Sequence, residues 1–461
     1  MSDSSMLQSS LQSRIRTWSM GLKLIVVCGL AVLMTIPALF VWALVEDRTK
    51  RAADVIKEVS VHVGGPQTFL GPVLAIPCNI PPRSPLESAK HGMYLVFPTK
   101  ASATLKIATE ERRRSLFKVP VFQADLKLDG TFDLSGVPNA APQSAELDWS
   151  RSEIVVGVSD ARGALADAML TTEGKTSTLV PAEIAQNISI SGDQSSQLKL
   201  VLFGAKVEGI AKPNAQFSVT SALRFSGAQR IAVLAYGKTT HLAVQGDWPS
   251  PGFDGGFLPV TRAVSKNGFT AEWSVPFIAR GVRAEGQGDA ITGLDAAALG
   301  ISFIEVADPY QSVNRSLKYL PLFLGLVFLA YFIFEATTGK RVHPAQYILV
   351  GIAQIIFYLL LLSLAERIGF GLGFLLAGAA TVILLSANAA WIFSSRLQGV
   401  RASAIFTLLY VLIYLLLRLE DNALLVGAIA SFLAVAAAMY FTRRIDWYGS
   451  LPVTGHGPPE H

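Results

Sequence analysis

The sequence predicts an α+β membrane protein in which six transmembrane helices carry a large, mainly antiparallel β domain, inserted between the first helix and the second. Three observations lead there. Of the 461 residues, 51% are hydrophobic and only 16% charged, against roughly 45–50% and 25% in an average soluble domain. The apolar excess sits at the two ends of the chain. Between them, residues 46–317 read as short alternating or β-branched runs broken by Gly, Pro, Asn and Asp.

The first apolar run, 22–45, holds 24 residues whose only charge is Lys23 in the opening turn. At about 1.5 Å per residue it reaches about 36 Å, enough to cross a hydrocarbon core of roughly 30 Å. A cleaved signal peptide has an apolar core of about 7–15 residues and a small-residue cleavage site, whereas this run ends in Trp42-Ala43-Leu44-Val45. It reads as an uncleaved anchor. Next, Ala52, Val55, Ile56, Val59 and Val63 recur at helical spacing, which predicts an amphipathic stalk over 46–63 packed on its own domain. Gly64-Gly65-Pro66 ends it.

From there to about residue 310 the pattern is that of an antiparallel β domain. The runs MYLVFP, ATLKIAT, KVPVFQADLKLDGTF, EIVVGVS, NISISG, QLKLVLFGAKVEGI, QFSVTSALRFS, RIAVLAYG, HLAVQG and FTAEWSV read as strands. Leu198, Leu200 and Leu202 mark a strand with one buried face. Asp129-Gly130 and Asn267-Gly268 are hairpin-turn pairs. About a dozen strands make a sandwich, or two stacked β units with a seam at 137–143.

The second apolar zone gives five further spans, 319–336, 345–365, 370–393, 402–417 and 423–441, separated by short polar loops. Positive residues are retained on the cytoplasmic side. One set of flanks holds Arg14, Arg16, Lys23, Lys340, Arg341, Arg396, Arg401, Arg443 and Arg444, while the opposite short loops hold only Arg367 and Arg418. That count predicts cytoplasmic tails at 1–21 and 442–461, an external domain at 46–317 and a five-helix bundle over 318–441. The net charge of +5 does not indicate a nucleic-acid partner, because residues 46–317 carry 27 basic and 27 acidic side chains.

Catalytic patterns are thin. The six histidines include no pair at ligand spacing, and no phosphate-binding glycine loop follows a strand; no metal or cofactor is expected. GVSDARG resembles a nucleophile elbow at Gly157, Ser159 and Asp160 but has Ala161 where the second glycine belongs. Asp160 and Arg162 read instead as an ion pair holding a loop. Cys28 lies in an apolar run and Cys78 in the polar section, so no disulfide framework exists. In the spans the polar inventory reduces to Gln354, Asn388, Thr35, Thr381 and a few serines. Glu335, beside Lys340 and Arg341 and upstream of His343, reads as an interfacial salt-bridged cap. Small residues at helical spacing, Gly369, Gly373, Ala377 and Thr381 on one span and Ala430, Ala434 and Ala438 on another, permit close helix packing within the bundle or in a homo-oligomer.

The motifs FLGPVLAIP (69–77), VGVSDARG (156–163), WPSPGFDGGFLP (248–259), NGFTAEW (267–273), DPYQ (308–311), FIFE (332–335), HPAQYILVG (343–351), FYLLLLSLAERIGF (357–370) and RRIDWY (443–448) stand in an order that resembles the CreD, or cell envelope integrity protein, family of bacterial inner-membrane proteins. The resemblance covers nearly the whole chain after the first 15–20 residues. At AERIGF the chain departs from the family's SEHIGF, with Arg367 in place of a histidine, which argues against a histidine-based role there. The resemblance implies an integral inner-membrane protein of Gram-negative bacteria, linked to envelope integrity and produced under a two-component regulator. It supplies no catalytic residues.

The expected function is therefore non-enzymatic support of the envelope through a β-rich domain that binds or senses an envelope component or protein partner. A transport or flippase-like module is the alternative, and an envelope hydrolase a third. Interaction or structural candidates are Asp160, Arg162, Trp248, Phe253, Phe257, Asp308, Tyr310, Glu335 and His343. DPYQ and 248–273 are expected to pack together as a constrained, membrane-proximal face.

Overall fold

Pro37 decides the shape of the first helix. Helices α1 (Met20–Leu33) and α2 (Thr35–Val63) form one rod interrupted at Met34, because Pro37 has no N–H to offer the Leu33 carbonyl and its ring crowds that oxygen. The structure is a computed structural model and describes residues 20–80, 90–114, 117–137, 146–184, 187–191, 197–287, 291–303, 309–338, 340, 342–418 and 423–443. It divides into a helical unit and a β unit, the latter Ala52–Val306.

Within the β unit, the end of α2 lays Ile56, Val59 and Val63 against Val119, Val121 and Ala228, and Arg114 reaches Glu58 at 2.7 Å. Gly64 then turns the chain at φ +93°, in a place where a Cβ would lie 2.6 Å from the Gly163 Cα. Both the backbone angle and the space demand glycine.

Among the described residues nineteen strands follow, more than the dozen expected. They are β1 (Gln67–Ile80), β2 (Lys90–Val96), β3 (Lys100–Arg114), β4 (Phe117–Asp133), β5 (Glu146–Leu147), β6 (Glu153–Val158), β7 (Met169–Thr172), β8 (Lys175–Thr178), β9 (Val180–Pro181) and β10 (Asn187–Ser191). Then come β11 (Gln197–Lys206), β12 (Gln216–Ala228), β13 (Arg230–Leu234), β14 (Thr239–Gly246), β15 (Pro251–Gly255), β16 (Thr261–Ser265), β17 (Gly268–Val275), the single turn α3 (Phe277–Arg280), β18 (Glu285–Gln287) and β19 (Ala298–Phe303). One sheet has the path β10-β11-β6-β1-β13-β19-β15, with β2, β5, β9 and β18 attached beside it; the other runs β16-β17-β14-β3-β4-β12-β7-β8. Pairing is antiparallel except at β1 with β13 and β14 with β3.

The two sheets share one core. Phe69 of β1 meets Phe225 of β12 edge-on at 5.3 Å, and Phe122 of β4 lies 5.3 Å from Phe303 of β19. A sandwich with a continuous core results, rather than two stacked β units; residues 138–143 of the expected seam lie outside the described residues. Tyr236, fully buried, lies over Gly71, and its hydroxyl points to the Ser102 and Asp129 carbonyls, each at 2.9 Å. One phenol thereby ties the sheets together.

Asp129-Gly130 is not a turn. Both residues lie inside β4, with Asp129 opposite Ser102 and Thr220, and Gly130 leaves room for Pro72 and Pro98 of the facing layer. Nonlocal packing overrides the local turn preference there. The β16–β17 hairpin turns at Lys266-Asn267, with Gly268 already the first residue of β17 opposite Ser265.

The helical unit comprises α1, the start of α2, α4 (Pro309–Lys318), α5 (Leu320–Thr338), α6 (Pro344–Ile368), α7 (Phe370–Phe393), α8 (Arg396–Arg418) and α9 (Ala423–Thr442). Among the described residues five helices are long and apolar enough to cross a membrane, at Gly21–Val63, Leu320–Thr338, Pro344–Ile368, Phe370–Phe393 and Arg396–Leu417; the stretch Leu425–Tyr440 of α9 is shorter. Helix α8 starts six residues before the expected 402. Leu349, Ile352, Ile356, Leu375, Ile383 and Leu408 point outward, whereas Tyr347, Phe357, Tyr358 and Leu361 are buried.

Candidate functional site

The VGVSDARG segment ends β6 and meets the end of α2. Asp160 caps the short turn Ala161–Gly163, its Oδ1 accepting the Arg162 N–H at 3.0 Å. The Arg162 fork then closes on the same carboxylate, Nε to Oδ1 at 3.0 Å and Nη2 to Oδ2 at 2.6 Å. These bonds from Arg162 hold the Asp160 carboxyl below the usual carboxylate range. Ser159 is committed to the backbone: its Oγ accepts the Thr68 N–H at 2.9 Å and lies 3.1 Å from the Pro66 carbonyl. No histidine activates it among the described residues.

Behind that loop sits Gln67, completely buried, which no sequence pattern singled out. Its amide donates to Gly64 O at 2.8 Å and Asp160 O at 3.0 Å, and Ser226 Oγ reaches Val63 O at 2.9 Å. Two clefts flank this junction. One of about 480 Å³ is lined by His62, Arg112, Phe122 and Arg162, and one of about 520 Å³ by Ile56, Lys57, Ser60 and Arg162. Arg162 borders both.

The aromatics of 248–273 belong to the domain's own core. Trp248 is buried against Phe303 at 6.1 Å, and Phe253 stands edge-on to Phe269 and Trp273 at 5.9 and 5.8 Å. Trp273 Nε1 donates to the Phe257 carbonyl at 3.0 Å, which fixes the loop carrying Phe257. Asp308 lies outside the described residues. Tyr310, in α4, gives its hydroxyl to Glu366 of α6 at 3.0 Å.

Glu335 is buried near the end of α5, and its charge partner differs from the expected Lys340 and Arg341. Lys23 of α1 reaches its Oε1, the Val342 N–H donates to the same oxygen at 3.0 Å and the Tyr347 hydroxyl to Oε2 at 3.1 Å. Lys340 instead caps α7 through the Phe393 carbonyl at 2.6 Å, while Arg341 lies outside the described residues. His343 caps α6, its Nδ1 accepting the Ala345 N–H at 3.2 Å. Gly373, Ala377 and Thr381 face inward, and a Cβ on Gly373 would come 2.9 Å from the Ala365 nitrogen, so Gly373 sits at the α6–α7 contact. Ala430, Ala434 and Ala438 on α9 are half-buried.

Comparison with known proteins agrees with this architecture of apolar helices and a β-rich domain. The chain matches the family described as Inner membrane protein CreD over residues 19–448. The Inner membrane protein CreD of Escherichia coli (strain K12) is 30% identical over 435 residues, which cover 92% of this chain and 93% of that protein.

Proposed function

Because the chain belongs to the CreD family of inner membrane proteins, we propose that it supports cell-envelope integrity without catalysis, through a periplasmic β domain that binds or senses an envelope component or partner. Six helices form its scaffold: α9, with 20 residues at about 1.5 Å each, reaches the roughly 30 Å of a hydrocarbon core. Both termini are cytoplasmic, on the strength of nine basic flanking residues against two.

The observation that carries the scaffold reading is the filling of the bundle. Phe323, Phe357 and Phe374 surround Tyr410 at ring-centroid distances of 4.8, 4.9 and 6.4 Å, where a transporter needs a polar cavity near the bilayer midplane. In the β domain, Ser159 and Asp160 spend their hydrogen-bonding capacity on the fold, which favours binding over hydrolysis. A transport or flippase-like role draws on one feature, the buried Gln354 Nε2 and Tyr358 Oη, which find no partner among the described residues.

Alanine substitutions at Asp160, Arg162, Asp308 and Tyr310 test the reading in an envelope-stress complementation assay run beside membrane abundance. Graded losses that track abundance are expected. One variant that abolished complementation at normal abundance, with its neighbours active, would overturn the non-enzymatic reading.

A further inference from the structure

Arg280 is a buried cation without a protein acceptor among the described residues. Its side chain closes the turn α3 and is 3% exposed, and none of Nε, Nη1 and Nη2 has a hydrogen-bond partner. Other arginines of this unit behave differently: Arg114 meets Glu58, Arg162 meets Asp160, Arg224 meets Asp125 at 3.5 Å and Arg230 meets Asp254 at 2.7 Å. Burial alone draws the Arg280 guanidinium down to about 10, so it keeps its charge at neutral pH.

What surrounds it is a holder, not a counter-ion. The guanidinium carbon stands 4.1 Å over the Phe97 ring, and Phe97 is itself fixed by its N–H to the Ala284 carbonyl at 3.0 Å. Stacking on the ring occupies a face of the guanidinium and leaves its edge, with five N–H donors, for an acceptor in the plane. That edge matches two oxygens of a phosphate or carboxylate. The backbone bearing the side chain is accessible, since Phe277, Ile278, Ala279 and Gly281 are all exposed. Gly281 takes φ +71°, and a Cβ there would meet no atom within 4 Å; access to the fork would take an outward shift of this one turn.

We propose that Arg280 is the recognition residue of an oxyanion site in the β domain, taking a phosphate- or carboxylate-bearing group in the plane of its guanidinium. The site rests on the reading of the β domain as a periplasmic binding module, and gives its ligand a chemistry.

The test is thermal melting of the full-length chain in detergent, with inorganic phosphate titrated at constant ionic strength against chloride, then acetate, for the native chain, Arg280→Met and Arg280→Lys. Phosphate or acetate should raise the native Tm saturably, by about 5–10 °C at a hundredfold excess over Kd. Arg280→Met should lose the rise, and Arg280→Lys should keep a smaller one, because an ammonium cannot make the two parallel bonds. Repeating the melts in phosphatidylcholine nanodiscs with and without phosphatidylglycerol separates the sources: a rise confined to the anionic lipid assigns a headgroup, and one confined to the soluble ion assigns a free or polymer-borne group. A native chain indifferent to phosphate, acetate and anionic lipid would end the proposal, and Arg280→Met melting higher beside it would make the guanidinium an uncompensated charge. The functional reading is scored separately by complementation: an anion response in a chain whose complementation ignores the β domain keeps the site and sinks that reading. A null response beside intact complementation does the reverse.

Discussion

Replacing Lys23 by Met should be among the most damaging single changes in the helical unit. The Glu335 carboxylate is 2% exposed and receives three donors, from Lys23, the Val342 N–H and the Tyr347 hydroxyl. Methionine preserves the length and apolar stem of the lysine, so the perturbation is confined to the ammonium. Breaking a buried ion pair from one side costs about 3–5 kcal/mol, because the remaining charge is stranded. Lys23 keeps 14% of its side chain exposed and Glu335 keeps two neutral donors, which places the expected loss near the low end, about 3 kcal/mol, or roughly a hundredfold in the folding equilibrium. The double variant Lys23→Met with Glu335→Gln should recover about 2 kcal/mol of the summed single losses, since no charge is left unpaired. Reversible unfolding of the full chain in mixed micelles, run as a double-mutant cycle, measures both. A Lys23→Met chain within about 0.5 kcal/mol of the native one, or strictly additive losses, would refute the argument.

Other consequences are as direct. Gly71→Ala places a Cβ 2.5 Å from the immobile Tyr236 ring, an overpacking that should cost about 2–3 kcal/mol, read by denaturant unfolding. Glu153, buried on β6 with Oε2 unpartnered, has its carboxyl pKa raised by burial. Its contribution to stability is complete below the unfolded-state value of about 4.3 and is lost as pH rises through the higher folded value, so the Tm advantage of Glu153→Gln should grow between pH 4 and pH 8. An advantage independent of pH would contradict this. A single cysteine at residue 398, in a chain lacking Cys28 and Cys78, should resist a membrane-impermeant maleimide applied from outside, and external labelling would reverse the proposed topology.

Much of the molecule was legible one segment at a time. Residues 22–45, and the α6 and α7 stretches, announce themselves by length and apolarity, and Ile56, Val59 and Val63 mark the packed face of α2 by spacing alone. The alternation in β11 buries Leu200 and Leu202. By contrast β1, the strand joining β6, β2 and β13, was not among the runs read as strands, since Pro72 and Pro77 remove two ladder donors. At the candidate site, the Asp160–Arg162 pair lies two residues apart and could be read directly. Gln67, which organises the same junction across 93 and 159 residues, could not.

By itself the sequence determined where the chain meets lipid and where it alternates between core and water, because hydropathy and period are properties of neighbours a few residues apart. Only the tertiary structure decided which distant groups share a bond. It put Lys23 rather than Lys340 on Glu335, kept Asp129-Gly130 inside a strand and left Arg280 without a hydrogen-bond partner among the described residues. Those outcomes depend on the packing of whole layers, where a partner 312 residues away competes on equal terms with one five residues away.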